Sequence, residues 1–365
     1  MRILCVVGTR PNFIKMAALY REINRREGYE PFLVHTGQHY DENMSKVFFR
    51  DLGLPRPDKD LDVAGGSYVS QTCRIMEHME GIIADFDPHV VVVVGDVNST
   101  LAASMAVMQT KTPLAHVEAG LRSFDRDMPE EMNRVVVDHI ADMLFVTEQS
   151  GIDNLHAENI PDERIFFVGN TMVDTLLANI EKARTLDIPP KLGIPEGPYA
   201  LATLHRPANS DDRDALEDIL STLVEVSRDI SLILPIHPRT KARIAEFGLD
   251  GLISSSPGFF LTEPLGYMEF MSVMAGADAV LTDSGGIQEE TTILGVPCIT
   301  MRNNTERPVT IECGTNTLAG TKGADILAAW RNLASGDRKE SVAPPLWDGK
   351  AAARILDIFE EKFGL

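Results

Sequence analysis

Residues 90–94 are five consecutive valines. Side chains branched at Cβ pack well on a pleated surface, so the run reads as a strand. A strand with one wet face alternates apolar and polar residues. This one has no polar position, so it must be buried on both faces, as in a parallel sheet covered by helices on each side. The pattern recurs at residues 2–7, 32–35, 114–117, 143–146 and 164–168, with helical segments between most of them. In the first helical segment Phe13, Met16, Ala17, Tyr20 and Ile23 repeat with helical spacing, and Pro11 suits the first helical position. Together these runs predict a doubly wound α/β unit.

Residues 186–198 (LDIPPKLGIPEGP) break the alternation and read as a linker. Strand-like runs then restart at residues 199–203, 230–234, 259–261, 279–281 and 298–300. We therefore expect an α/β protein of two Rossmann-like doubly wound domains facing each other across a cleft. The expected bounds are residues 1–185 and 199–345, with a last helix in residues 346–365 that packs back on the first domain. Ligands of such sheets sit outside the carboxyl ends of the strands.

One strand end stands out, at residues 281–290 (LTDSGGIQEE). A strand, a glycine-bearing turn and a helix start make an anion site, because first-turn amides and the helix dipole both point at the turn. Gly285 and Gly286 let the backbone approach a phosphate, and Ser284 adds a hydroxyl donor. Glu290 follows one turn later, within reach of a sugar hydroxyl on the same ligand. The combination points to a nucleoside diphosphate. A plain helix start that binds nothing is the other reading.

The charge balance limits the partners. With 54 acidic and 34 basic residues the formal net charge is −20, which argues against nucleic acid and anionic membranes. A diphosphate site must then be locally positive, and Arg10, Lys15 and Arg307 are the cations to watch. Four scattered cysteines form no metal or disulfide pattern and fit reduced thiols in the cytosol. Residues 1–7 read as a strand rather than a leader, and no apolar run approaches the roughly 18 residues of a membrane span. No metal site and no G-x-G-x-x-G cofactor motif is expected.

Chemically loaded residues gather after the strands: Arg10 and Lys15 after the first, Asp96 after the valines, Glu118 after the next, and Glu130, Glu131 and Arg134 on the helix beyond. In the second half His205 and His237 follow successive strands. Each has an ordinary account too. Asp96 and Glu118 suit turns or helix caps. Glu130 and Glu131 suit a solvated helix start, with Arg134 as ion partner. His205 and His237 suit loops, and His116, inside a strand, suits a structural role.

The motifs GTRPNFIKMAAL, HTGQHYDENMS, GDVNSTLAAS, HVEAGLRSFDRDMPEEMNR, GNTMVDTL, LHRPAN, EPLGYMEFM and LTDSGGIQEE…MRNNTERP occur in that order. The set resembles the non-hydrolysing UDP-N-acetylglucosamine 2-epimerase family, whose fold is that of the GT-B glycosyltransferases. The resemblance implies cofactor-free interconversion of UDP-N-acetylglucosamine and UDP-N-acetylmannosamine. UDP leaves C1 as a base takes the C2 proton, and UDP re-adds to the 2-acetamidoglucal with protonation on the opposite face. Two faces need two proton-transfer groups, and the leaving group needs a positive site. By motif, Asp96, Glu118 and Glu130 are the acid/base candidates, with Glu131 next, and His205 assists the diphosphate. The resemblance further implies that Ser284, Gly285 and Gly286 hold phosphate, Glu290 the ribose, and Arg10 and Lys15 the diphosphate or sugar. Phe270 lies by uracil, His237 lines the substrate, and Arg134 and Arg307 complete the charged site. A cytoplasmic homodimer serving polysaccharide biosynthesis is the implied setting.

Some positions depart from the family's bacterial pattern. Gly95-Asp96-Val97-Asn98 replaces a threonine-rich run. His205-Arg206-Pro207-Ala208-Asn209 lacks the acid that follows His-Arg-Arg, which puts the orientation of His205 in question. Gln38-His39 continue into Tyr40, and Gly65-Gly66-Ser67 stands where many members carry a second-ligand residue, so activation by substrate is not expected. These variants are similar to a branch that epimerises UDP-2,3-diacetamido-glucuronic acid. A hydrolysing epimerase, a glycosyltransferase and a non-catalytic UDP-sugar sensor are the remaining rivals.

Overall fold

A computed structural model describes residues 1–37 and 49–364. The chain divides into two compact units, residues 1–178 with 345–365, and residues 179–344.

The first unit is built on β1 (Arg2–Val7), β2 (Glu30–His35), β3 (Lys59–Asp60), β4 (Val90–Val94), β5 (Leu114–Ala119), β6 (Met143–Val146) and β7 (Ile165–Phe167). Among the described residues these form one parallel seven-stranded sheet in the order β3-β2-β1-β4-β5-β6-β7. All five valines of β4 are buried, as their lack of alternation requires. Strand order reverses between β1 and β4, which opens a crevice at their carboxyl ends. Helix Arg10–Arg25 starts at that crevice. Thr9 is its N-cap, and the Asn12 side chain accepts from the Gly8 and Thr9 amides at 3.2 and 3.0 Å. Asn12 Nδ2 then donates to the Val94 carbonyl at 2.8 Å, tying the helix start to the end of β4. The face carrying Phe13, Met16, Ala17, Tyr20 and Ile23 is buried.

Helix Ala351–Phe363 belongs to this first unit. Its first amides donate to the Asp174 carboxylate (Ala351 at 3.1 Å, Ala352 at 2.8 Å), an N-terminal cap supplied from another helix. Phe359 packs edge-on against Phe145 with centroids 5.6 Å apart. Burying a side chain of that size contributes about 1.5–3 kcal/mol. Trp347 Nε1 donates to the Thr147 carbonyl at 2.8 Å.

The second unit carries β8 (Tyr199–Thr203), β9 (Ser231–Pro235), β10 (Phe259–Thr262), β11 (Ala279–Thr282), β12 (Cys298–Thr300) and β13 (Asn316–Leu318). They form a parallel sheet in the order β10-β9-β8-β11-β12-β13, with the reversal between β8 and β11. Residues 186–198 are not a bare linker. They lie in the second unit, form the short helix Ile188–Lys191, and bury Ile188 and Ile194 against Tyr199, Val273 and Met274. The boundary falls earlier than residue 185, inside helix Thr171–Arg184. No helix among the described residues is long and apolar enough to cross a membrane.

Candidate active site

In the first unit the candidates converge on the carboxyl ends of β1, β4 and β5. Glu118 lies where β5 slips register against β6, between Val117 and Ala119. Its φ is +72°, a left-handed conformation that costs a non-glycine residue energy and re-aims its side chain. Strain of this kind persists where surrounding structure over-determines it and often marks a functional position. The carboxylate is buried and forms an ion pair with the equally buried Lys15, one turn into helix Arg10–Arg25. Gly95, at φ +66°, passes beside this pair. A Cβ there would lie 2.9 Å from Lys15 Nζ and 3.4 Å from Glu118 Oε2. Arg10 is the first residue of the same helix and is half-buried.

Asp96 follows Gly95 and is half-buried. Arg134 pairs with both Asp96 and Glu131. Asn133 Nδ2 holds the Asp96 carbonyl at 2.7 Å, and Tyr68 donates to Asn133 Oδ1 at 2.6 Å. The two glutamates of helix Pro129–Ile140 separate sharply. Glu131 is buried and accepts from the amides of Ser123 and Phe124 and the Ser123 hydroxyl, each at 2.9 Å. Its oxygens are committed to the loop and to Arg134. Glu130, its neighbour, is exposed.

His116, expected to be structural, is fully buried. Its Nδ1 lies 2.7 Å from Asp138 and its Nε2 2.8 Å from the Gly95 carbonyl. Asp138 also accepts from the Gly120 amide at 3.0 Å and from Arg122 at 2.7 Å, and Arg122 forks onto Glu158. Burial alone would raise the Asp138 pKa, but His116 and Arg122 outweigh it and hold the carboxyl below its ordinary range. This charged chain ties the Glu118 segment to the end of β4 through the Gly95 carbonyl and holds the Gly120 amide two residues after Glu118.

The second unit builds its site at the reversal between β8 and β11. Helix Gly285–Leu294 opens at the glycine turn itself, with Ser284 as N-cap; the Ser284 side chain makes no capping hydrogen bond. The helix start thus keeps its first-turn amides and a hydroxyl for an anion. Arg307, which is buried, lies against it: Nε is 2.7 Å from Glu289 and Nη1 2.7 Å from Glu306. A Cβ at Gly285 would sit 2.6 Å from Glu306 Oε1 and 3.0 Å from Arg307 Nη1, so a side chain there would displace this ion pair. Arg302 also pairs with Glu306, at 2.8 Å.

Glu290 is buried. Loss of water, with Glu289 adding to it, pushes its pKa up to about 8, although Tyr267 donates to Oε1 at 3.2 Å. His205 follows β8 and is 45% exposed on its side chain, with Nδ1 2.7 Å from the buried Asp283. His237 caps helix Pro238–Phe247, its Nδ1 accepting from the Arg239 amide at 3.3 Å, and its ring centroid is 6.4 Å from that of His205. Phe270 is half-buried on helix Tyr267–Ala275. Asp283 is the residue the sequence reading did not single out. Its place directly after β11, at the head of the anion turn, was the signal for it. Gln38 and His39 lie outside the described residues.

Two doubly wound parallel domains, one of them ending a central strand in a glycine turn at a helix start, have the GT-B build. A model of UDP-N-acetylglucosamine 2-epimerase matches residues 21–360. The chain is 40% identical over 363 residues to the UDP-N-acetylglucosamine 2-epimerase of Methanocaldococcus jannaschii, spanning 98% of each chain. It is 38% identical over 360 residues to the UDP-2,3-diacetamido-2,3-dideoxy-D-glucuronate 2-epimerase of Pseudomonas aeruginosa, spanning 98% of this chain and 99% of that one. The crystal structure of the Methanocaldococcus jannaschii enzyme in complex with UDP-GlcNAc and UDP matches with a TM-score of 0.92, covering 99% of this chain and 100% of that one. The chain belongs to the UDP-N-acetylglucosamine 2-epimerase family.

Proposed function

We propose that this protein interconverts UDP-N-acetylglucosamine and UDP-N-acetylmannosamine without releasing free sugar. The observation that carries this reading is the 40% identity over nearly the full length of both chains to a UDP-N-acetylglucosamine 2-epimerase. The C2 hydrogen is not adjacent to a carbonyl, so its removal must be coupled to loss of a good leaving group. A base takes the C2 proton as the C1–O bond breaks, giving 2-acetamidoglucal and UDP. UDP then re-forms the C1–O bond while an acid protonates C2 on the other face. Asp96, Glu118 and Glu130 are the acid/base groups in this scheme, with Glu131 and Arg134 holding their surroundings. Arg10 and Lys15 contribute positive charge to the substrate. The turn at Ser284, Gly285 and Gly286 receives the diphosphate beside Arg307, Glu290 takes the ribose hydroxyls, and Phe270 and His237 line the nucleotide. His205 assists departure of UDP.

The reading carries a homodimer in the cytoplasm, feeding activated amino sugar into polysaccharide synthesis; four free cysteines are compatible with a reducing compartment. A second reading keeps the chemistry and changes the sugar to UDP-2,3-diacetamido-glucuronic acid, supported by the Pseudomonas aeruginosa relative. Proton NMR in D2O with each nucleotide sugar decides between them. UDP-N-acetylmannosamine carrying deuterium at C2 is the expected product. Free N-acetylmannosamine with UDP would indicate hydrolysis, and turnover of the uronate alone would establish the second reading.

A further inference from the structure

Four groups converge on one buried carboxylate after β11. Asp283 accepts from the His205 amide at 3.0 Å, the Arg206 amide at 2.8 Å and Asn209 Nδ2 at 3.3 Å, and its Oδ1 lies 2.7 Å from His205 Nδ1. Asn209 in turn donates to the Met301 carbonyl at 3.1 Å, and Arg206 Nε to the Asp283 carbonyl at 3.0 Å. The loop after β8 is therefore folded around this side chain. Burial would raise the carboxyl pKa, but the His205 ring and the two amides hold it below the ordinary range, so the group is an anion.

We propose that Asp283 is the positioning residue of His205. It accepts the Nδ1 hydrogen, fixes the ring's rotation, and leaves Nε2, on the opposite edge, as the only nitrogen that meets substrate. The sequence lacks an acid after His205-Arg206, and the structure supplies one from the turn after β11, 78 residues away. An anion behind the ring stabilises the imidazolium, so Nε2 presents a hydrogen to the oxygen that gains charge as the C1–O bond breaks. On re-addition the same hydrogen stays with the ring as the charge returns to the bond. Asp283 touches no reacting atom and gains no proton. The carboxylate behind the imidazole in serine hydrolases fixes tautomer and orientation by the same physics.

This inference rests on the epimerase reading, and its test separates the two. Asp283→Asn keeps one acceptor oxygen for the loop amides but no longer holds an anion behind Nδ1. Its kcat is expected to fall by about 100- to 10,000-fold, the range seen when such a carboxylate is neutralised, while affinity for UDP stays within about threefold. In a His205→Asn background the same change should cost less than about threefold further, because the two act as one unit. A full repeat of the loss in that background would mean that Asp283 acts on the loop and not through the ring, and would overturn the proposal. Nitrogen-15 NMR of the wild-type ring, assigned by its absence in His205→Asn, decides the matter even if Asp283→Asn does not fold. A protonated Nδ1 is expected, and a ring protonated at Nε2 alone refutes it. An inactive wild-type protein would refute the epimerase reading while leaving the NMR result to judge the dyad.

Discussion

Glu290 offers a perturbation whose sign and size follow from burial. Its carboxyl is buried with a pKa of about 8 in the folded protein, against an ordinary value of 4.5. Between these values the folded state holds a proton that the unfolded chain has released. Stability therefore falls as pH rises from 4.5 toward 8, and the penalty is constant above that. The separation corresponds to a ceiling of roughly 5 kcal/mol at 1.36 kcal/mol per unit. Water entry and relaxation around an ionised group in an effective dielectric near 20 reduce this to about 2 kcal/mol.

Glu290→Gln removes the titration and keeps the acceptor for Tyr267. With ligand absent, the variant should be more stable than wild type by about 2 kcal/mol at about pH 8.5, and the difference should shrink steadily toward about pH 5. Urea unfolding at several pH values measures it. Trp330 lies in the second unit and Trp347 in the first, so a Trp347→Phe background makes tryptophan fluorescence report the second unit alone. Only the difference between the Glu290→Gln variant and its parent is read, so every other titrating group cancels. A difference that stays flat across that pH range would refute the burial argument.

Two further perturbations test the first unit. Gly95→Ala combines a φ of +66° with a Cβ 2.9 Å from Lys15 Nζ. The left-handed conformation alone costs about 1–2 kcal/mol, and pressing on a buried ion pair adds to it, so a loss of about 3 kcal/mol in urea unfolding is expected; an unchanged midpoint would show that the site yields freely. Glu130→Gln should cut epimerisation while moving stability by less than about 0.5 kcal/mol, and Glu131→Gln should cost about 1.5–3 kcal/mol by weakening charge-assisted bonds to Arg134 and the 123–124 loop. The opposite pattern would exchange the two assignments.

Unalternated apolar runs were the readable part of the fold, because burial on both faces leaves no room for a polar position. Of the four edge strands, β3 and β13 carried no such signal. Lys59–Asp60 and Asn316–Leu318 are too short for a period and pair on one side only. Residues 186–198 misled in the other direction, since proline and glycine dominate the stretch while two isoleucines do the packing. In the site, residue type and strand-end position were readable. The difference between Glu130 and Glu131 was not: adjacent helical residues differ by about 100° in direction, and which one faces the 123–124 loop is settled by tertiary packing. Asp283 was hidden for a related reason, because its partners lie 74 to 78 residues earlier in the chain.

The same packing explains why the strained residue is where it is. A parallel strand buried on both faces alternates its side chains between two helical layers, so a carboxylate continuing β5 in register would be driven into one of them. The register slip at Glu118, its positive φ and Gly120 at φ +81° turn the chain out of that alternation. Gly120 packs directly on Gly151, where a side chain on either would collide. His116 then ties β5 to the Gly95 carbonyl at the end of β4, and Asp138 holds the Gly120 amide just past the turned residue, so the conformation cannot relax without breaking a buried charged chain. The energy stored in one dihedral is small, about 1–3 kcal/mol, against the roughly 3–5 kcal/mol lost on breaking a buried ion pair. The strain is thus stable by a clear margin, and the result is a carboxylate delivered to the end of the sheet beside Lys15, where the unstrained strand would have buried it in the core.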